Sequence, residues 1–549
     1  MKMVKSLLLG SAAGLVAVAS GQAADLPVKA KAVEYVKICS LYGAGFYYIP
    51  GTDICLKVGG YMRVEGFYNY GANGTTGIYN SPPSGQQDRI DGHDFLMRGR
   101  AYISTDSRQQ TAYGVLRTYF NLGASNDSPA SWAMGANRGF IQFAGFTFGL
   151  AGSFYDYFQG AATSYLQAWT SDTGDGGWKV VGYTAQLGSG LSMSIAAEEP
   201  RRTTVWNTST ANQNTAGVLA SSVSTSFAFA SALQVTMGGG SYLVGAAPLS
   251  DTIKIRFPDI VANIRLDQAW GGLQIMGALH DASGGYYGNS SSTSALGSGW
   301  NNGHPSDKLG WAAGAGVKIN TPMISAGDYL QAQVNYTVGA TKYTAHTPTG
   351  GGSPAMFNGN SLGLGMFSDG VYCGSAAGGA ASIGCPAGAG SIELTTGFGV
   401  NAAYEHFWTP ALRTSLVYSY NKYSYNSNAQ AMITAAVQSN STGTCLGGAA
   451  NSTSSQQTIS TVIPAGGISN LSNCDANWSY WSLGSRTQWN ITKDFYMGVD
   501  VMYSQLKTAF NGTASYRAAV NTGAPTGTYT IADQSNWAFR YRIHRDIVP

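Results

Sequence analysis

The chain has 549 residues, only 11% of them charged, with 73 glycines, 33 tyrosines and 12 tryptophans. An ordinary soluble domain carries about 25% charged residues, so this is not a charge-solvated globule, and a formal net charge of +3 gives no basic excess of the kind that draws nucleic acid. A mean hydropathy of −0.06 is what an outer-membrane β-barrel gives, because lipid-facing apolar residues alternate with polar lumen-facing ones; a soluble β-rich adhesin gives the same average.

The first residues, "MKMVKSLLLGSAAGLVAVASGQAADLP", place Lys2 and Lys5 before an apolar run from Leu7 to Ala19 and a small-x-small site at Gly21-Gln22-Ala23. This is the pattern of a secretory signal peptide over 1–23, so the mature chain is expected to start at Ala24. Its loss lowers the formal charge to +1, since Lys2 and Lys5 leave with it. No later stretch reaches the ~18 to 20 apolar residues of a spanning helix.

Next comes "CSLYGAGFYYIPGTDIC", residues 39–55, the expected N-terminal stapled segment of 24–55. The six cysteines fall in sequential couples, Cys39 with Cys55, Cys373 with Cys385 and Cys445 with Cys474, none spaced CxxC. Disulfides of an exported protein are the expectation rather than a metal site. Six cysteines allow 15 connectivities, so neighbour pairing rests on proximity alone. A Cys39–Cys55 bridge would pin the N-terminal segment at the start of the first strand.

From residue 56 onward the chain alternates with period two, which puts successive side chains on opposite faces of a strand. Val58, Met62, Val64, Tyr68 and Tyr70 oppose Lys57, Tyr61, Arg63, Glu65 and Asn69. Phe95, Met97, Ala101 and Ile103 oppose Arg98, Arg100 and Ser104; Leu330, Val334, Tyr336 and Val338 oppose Gln331, Gln333, Asn335 and Thr337; Trp537, Phe539, Tyr541 and Ile543 oppose Arg540, Arg542 and His544. A sandwich would show bulk water a face rich in Lys and Glu, whereas here the polar face carries Arg, Gln, Asn, Thr and Ser. Tyr68, Tyr70, Tyr418, Tyr420 and Trp537 sit where an aromatic girdle would lie at the lipid headgroups.

The joins between strands alternate short and long: "DSRQQ" against 123–136, "GSG" at 188–190 against 200–256, "QAWG" against 282–308, the turn after Asn320 against 341–391, "FWTP" against 425–477, and "ITK" against 509–535. Short turns on the periplasmic rim and long loops on the other are the outer-membrane arrangement. The alternation predicts strands over 56–70, 93–105, 110–122, 137–144, 146–154, 178–187, 191–199, 257–267, 271–281, 309–320, 328–340, 392–407, 411–424, 478–490, 493–508 and 536–546. That is a transmembrane antiparallel β-barrel of 16 strands over 56–549, or 18 if "SSVSTSFAFASALQVTMGGGSYLV" adds a hairpin. At that size a barrel encloses an aqueous lumen.

Motifs for chemistry are weak. "GNSLG" at 359–363 matches G-x-S-x-G, but a nucleophile elbow needs a strand before it and a helix after it, and this copy lies in a Gly-, Ser- and Asn-rich loop. No HExxH and no Gly-Lys pair occur. No enzyme activity, metal or cofactor is expected. Asp475, Glu198 and Glu199 read as solvated or lipopolysaccharide-facing acids.

"CSLYGAGFYYIPGTDICLKVGGYMR", "FIQFAGFTFGLAGSFYDYF", "PDIVANIRLDQAWGGLQIMGALHD" and "SRTQWNITKDFYMGVDVMYS" resemble the alphaproteobacterial general porins of the Brucella and rhizobial type, across the whole mature chain. The resemblance implies a 16-stranded barrel in the outer membrane of a Gram-negative bacterium, a homotrimer, contact with lipid and lipopolysaccharide, and passive diffusion of ions and small hydrophilic solutes. It implies further that the third outer loop, 155–177, folds into the lumen, with Asp156, Asp172 and Asp175 facing a wall of basic residues. Lumen-parity candidates for that wall are Lys57, Arg63, Arg98, Arg100 and Arg117. Two departures stand out: the outer loops 200–256, 341–391 and 425–477 are long, and the chain ends "RDIVP" where an aromatic terminus is common. The alternatives are a substrate-selective 18-stranded channel and a non-channel adhesin or structural barrel.

Overall fold

The computed structural model describes residues 37–68, 95–127, 132–166, 168–207, 234–237, 240–243, 256–284, 304–346, 355–358, 360–374, 390–438, 468–516 and 527–547. The expected signal peptide, Tyr70, Cys385 and Cys445 lie outside them. The chain divides into two units, Met1–Lys57 and Val58–Pro549.

In the first unit Cys39 and Cys55 form a disulfide with Cα atoms 6.0 Å apart. Both cysteines and Phe46 are buried, with Tyr42 and Tyr48 packed on them. Tyr47 and Tyr48 pair antiparallel with Leu56 and Cys55, so the staple closes a small hairpin of its own. Lys57 belongs to this unit and lies beside Gly45.

Sixteen antiparallel strands close on themselves: β1 (Cys55–Tyr68), β2 (Phe95–Thr111), β3 (Gly114–Asp127), β4 (Ala133–Phe143), β5 (Phe146–Ala151), β6 (Trp178–Gly188), β7 (Leu191–Glu198), β8 (Asp259–Gln268), β9 (Gly271–Asp281), β10 (Leu309–Asn320), β11 (Tyr329–Val338), β12 (Thr396–Phe407), β13 (Leu412–Ser424), β14 (Trp478–Asn490), β15 (Phe495–Lys507) and β16 (Gln534–Asp546). Each pairs with the next. The ring shuts where Tyr61 to Tyr68 of β1 pair with Asp546 to Phe539 of β16. The segments 234–237 and 240–243 pair with each other as a separate hairpin, which removes the 18-strand count.

The barrel is inside out relative to a soluble protein, as the period-two pattern requires. Ile103 is 57% exposed, Ile275 59% and Trp537 53%, whereas Asn335 is 1% exposed and Asn401, Ser419 and Asn421 are fully buried. No helix among the described residues is long and apolar enough to cross a membrane; the strands provide the crossing.

The four two-residue turns, at 112–113, 144–145, 189–190 and 269–270, fall at one end. Ala144-Gly145 and Ser189-Gly190 have positive φ at both positions (49°, 87° and 51°, 78°), the turn whose twist matches paired strands. Two connections differ from expectation: the long join expected over 123–136 is largely strand, since β3 runs to Asp127 and β4 starts at Ala133, and the first turn lies elsewhere. "DSRQQ" is strand, not loop: Asp106 pairs with Tyr119 and Gln110 with Val115, and the chain reverses at Ala112-Tyr113. The polar run is tolerated because Asp106 is tied to Arg108 at 2.8 Å and Arg117 at 2.9 Å on the lumen face. Ser361 of "GNSLG" opens a short strand, Ser361–Leu364, with another strand, Ser368–Tyr372, behind it; the helix that a nucleophile elbow needs is replaced by sheet.

Candidate functional site: an inward-folded loop

Between β5 and β6 the chain does not stay at the rim. Residues 152–166 and 168–177 run across to the far wall, and their backbone is held there by lumen-facing side chains of β11 to β16. Gln333 Oε1 accepts from the N–H groups of Tyr157 (3.3 Å) and Phe158 (2.8 Å). Asp500 Oδ2 accepts from Ser164 Oγ (2.7 Å), Tyr165 N (2.5 Å) and Leu166 N (3.1 Å). The Trp169 carbonyl accepts from Asn401 Nδ2 (2.9 Å), Ser419 Oγ (2.5 Å) and Asn421 Nδ2 (3.1 Å). Arg486 Nη1 donates to the Ala162 carbonyl at 2.6 Å, and Arg540 donates to that of Tyr165. A loop that enters a barrel must find partners for its backbone polar groups. Here the wall supplies them.

Aromatic packing fixes the loop further. Tyr165 lies between Arg542 (4.1 Å from its ring centroid) and Arg486 (5.3 Å) and donates to Gln488 Oε1 at 2.7 Å. Its ring passes so close to β15 that a Cβ on Gly498 would lie 2.4 Å from the hydroxyl; Gly316 likewise makes room for Tyr157, 2.4 Å from the ring. Bare backbone is needed at both positions for this approach.

The three loop acids have different roles. Asp156 accepts from Thr173 N–H at 2.8 Å and pairs with Arg201 at 2.8 Å, the guanidinium being completely buried. Asp172 is half-buried and caps two backbone N–H groups, Gly160 (3.0 Å) and Gly174 (2.8 Å). Burial, with the neighbouring Asp156 charge, pushes its carboxyl up to about 7. Asp175 is exposed.

Of the basic residues read from the sequence, Arg63, Arg98, Arg100 and Arg117 stand on adjacent strands β1, β2 and β3. Arg63 donates to His544 Nδ1 at 3.2 Å and lies over the Tyr61 ring at 4.7 Å. Arg98 lies over Phe67 at 5.3 Å. Arg100 donates to Ser125 Oγ at 2.9 Å. Arg117 is paired with Asp106 and donates to Gln142 Oε1 at 3.0 Å. Arg138 of β4, the next strand, donates to the Gly174 carbonyl at 2.8 Å and so ties the loop beside Asp175 to this side of the barrel.

Sequence reading missed the anchors: Arg201, Gln333, Glu405, Arg486 and Asp500. A signal existed for part of the set. Glu405 and Asp500 are acids within strands at lumen parity, where a charge needs a partner, and Arg486 meets Glu405. Cys373 and Cys474 are each in a disulfide whose other half lies outside the described residues. Among the described residues no group of three or more His, Cys, Asp or Glu is placed to hold a metal ion.

A family model described as "Porin subfamily" matches residues 25–538. Porin Omp2b of Brucella melitensis biotype 1 is 35% identical over 209 residues, 36% of this chain and 54% of that protein. Porin Omp2b of Brucella suis is 36% identical over 209 residues, 36% of this chain and 52% of that protein. The aligned stretch therefore spans about half the length of these curated relatives. The outer membrane channel DcaP of Acinetobacter baumannii superposes with a TM-score of 0.52 at 11% identity, covering 91% of this chain and 99% of that one, a likeness of fold. A closed barrel with its apolar face outward is built for the outer membrane of a Gram-negative bacterium, and with a match running from residue 25 to residue 538 the chain belongs to the porin subfamily.

Proposed function

We propose that this chain forms a water-filled channel for passive diffusion of ions and small hydrophilic solutes across the outer membrane, assembled as a homotrimer in lipid and lipopolysaccharide. One observation supports the reading: the loop backbone at Phe158, Tyr165 and Trp169 is fastened to β11–β15, and a loop so held would narrow the lumen without filling it with mobile chain. Beside it would stand the wall of Arg63, Arg98, Arg100 and Arg117, with Asp175 on the exposed side of the loop and Asp156 and Asp172 stiffening it. A narrow lumen between low-dielectric walls focuses the field of such charges. Cys373 with Cys385 and Cys445 with Cys474 would staple the outer loops.

The experiment is liposome swelling with neutral sugars of graded size. Proteoliposomes should swell fast with a pentose and slower with each larger sugar. Swelling no faster than empty liposomes, from protein that runs as a folded barrel on unheated gels, would favour the adhesin or structural reading.

A further inference from the structure

A second extracellular segment also folds inward. Residues 363–374, between β11 and β12, are buried along their whole length. The path is a chord. At one end Leu364 N–H donates to Thr508 Oγ1 (3.0 Å), just beyond β15, and Ala509 N–H donates to the Leu364 carbonyl (2.7 Å). The Met366 carbonyl then accepts from Tyr425 OH (2.5 Å) and Trp478 Nε1 (2.7 Å), above β13 and β14. At the other end Asp369 Oδ2 accepts from Thr203 N–H (2.7 Å) and lies 3.3 Å from His280 Nε2 at the top of β9, while Oδ1 accepts from Thr341 N–H and Oγ1 (2.8 Å each). Beyond it Val371 and Tyr372 pair with Trp206 and Asn207.

This chord lies over the half of the barrel against which the constriction loop is packed, and the two touch: the Phe367 ring is 6.3 Å from Trp169 and 5.1 Å from Tyr423. The Asp369 carboxylate is fully buried and sits among four hydrogen-bonding groups from three other segments. A buried charge so satisfied holds one geometry, because leaving it would strand the charge. The segment is thus fixed in place. A mobile flap would not have this anchoring.

We infer that residues 363–374 are a second constriction, a fixed roof over the constriction-loop half of the lumen that confines solute entry to the side where Arg98 and Arg100 stand. The inference rests on the channel reading. It assigns the pore's size limit to two stacked loops and makes the outer one a determinant of which solutes reach the inner one.

The test replaces Leu364–Tyr372 by a short Gly-Ser linker in the full chain and compares single-channel conductance, and exclusion of graded polyethylene glycols, with the unaltered protein. The roof predicts higher conductance and entry of larger polymers. Unchanged conductance and unchanged exclusion size in a variant that migrates as a folded barrel would overturn it. Should the replacement not fold, Phe367→Ala combined with Asp369→Asn in the intact loop is the measurement: added substates and open-channel noise are expected, and a trace identical to the unaltered protein contradicts the roof. Silence of the unaltered protein itself would instead sink the channel reading, which keeps the two failures apart.

Discussion

Arg201 and Asp156 meet at 2.8 Å, with the arginine fully buried and stacked 4.6 Å from the Tyr343 ring centroid. Arg201 also donates to the Ser171 carbonyl at 2.8 Å, so one guanidinium from the loop after β7 holds two turns of the constriction loop. Removing one partner of a buried pair leaves an uncompensated charge and costs about 3–5 kcal/mol. Arg201→Ala should therefore loosen the loop: single-channel recordings are expected to show more open-state noise and substates. Arg201→Lys, which keeps the charge but not the fork, should fall between. A quiet, unaltered trace from Arg201→Ala would show that this pair does not hold the loop.

On the proposed channel, the loop acids and the strand arginines are expected to have opposite and separable effects. Asp175 is exposed and follows Gly174, whose carbonyl accepts from Arg138 on the strand next to β3. Asp175→Lys should move the reversal potential in a salt gradient toward anion preference, and Arg100→Glu toward cation preference. Both shifts should shrink in molar salt, where the Debye length is about 3 Å. Asp156→Asn should act on noise more than on selectivity, since its charge is already matched by Arg201. Equal selectivity shifts from Asp156 and Asp175 would contradict this division of roles.

Asp172 gives the loop a pH dependence. Its carboxyl is pushed up to about 7 by burial and by Asp156, so the seated loop binds the proton more tightly than the free loop does. Loop stability is then fully present below the ordinary carboxylate value, about 4, and is lost as pH rises from there through about 7. Hydrogen exchange over 159–174 should be slower at pH 5 than at pH 8 after correction for the intrinsic rate. Asp172→Asn should flatten that difference. Persistence of the full pH difference in the variant would assign it to another group.

The Cys39–Cys55 bridge closes a short loop in the N-terminal unit, with a sequence separation of 16. Cross-linking a loop of that size restricts the unfolded chain and contributes roughly 3 kcal/mol. Cys39→Ser with Cys55→Ser should make residues 37–57 the first site of limited proteolysis while the barrel stays resistant. Alkylation of the unaltered protein should label no cysteine before reduction and all six after it. Two or more free thiols in the native protein would reject a three-bridge scheme.

The barrel was legible in the sequence because period two is a local property. In Tyr329–Val338 every outward residue is apolar or aromatic and every buried one is Gln, Asn or Thr, a pattern that depends on nothing elsewhere in the chain. The turn at Ala112-Tyr113 was not legible, since Asp106 to Gln110 have the composition of a loop, and their place in the strand is supported by ion pairs of Asp106 with Arg108 along the strand and Arg117 across the ladder. The loop acids could be listed but not sorted. Asp156 is separated from its partner Arg201 by 45 residues, and Asp172 is turned inward by backbone geometry at Gly160 and Gly174. Such contacts are decided by tertiary structure. The burial of 363–374 was equally hidden, because Gly, Ser and Met in a long loop give no periodic signal.

The most direct test of the proposed channel is current through the unaltered protein in a planar lipid bilayer. A water-filled lumen predicts stepwise conductance increments that scale with salt concentration, and a weak ion preference set beside the inward-folded loop. Folded, heat-modifiable protein that inserts yet passes no current, or passes one solute only, would contradict it.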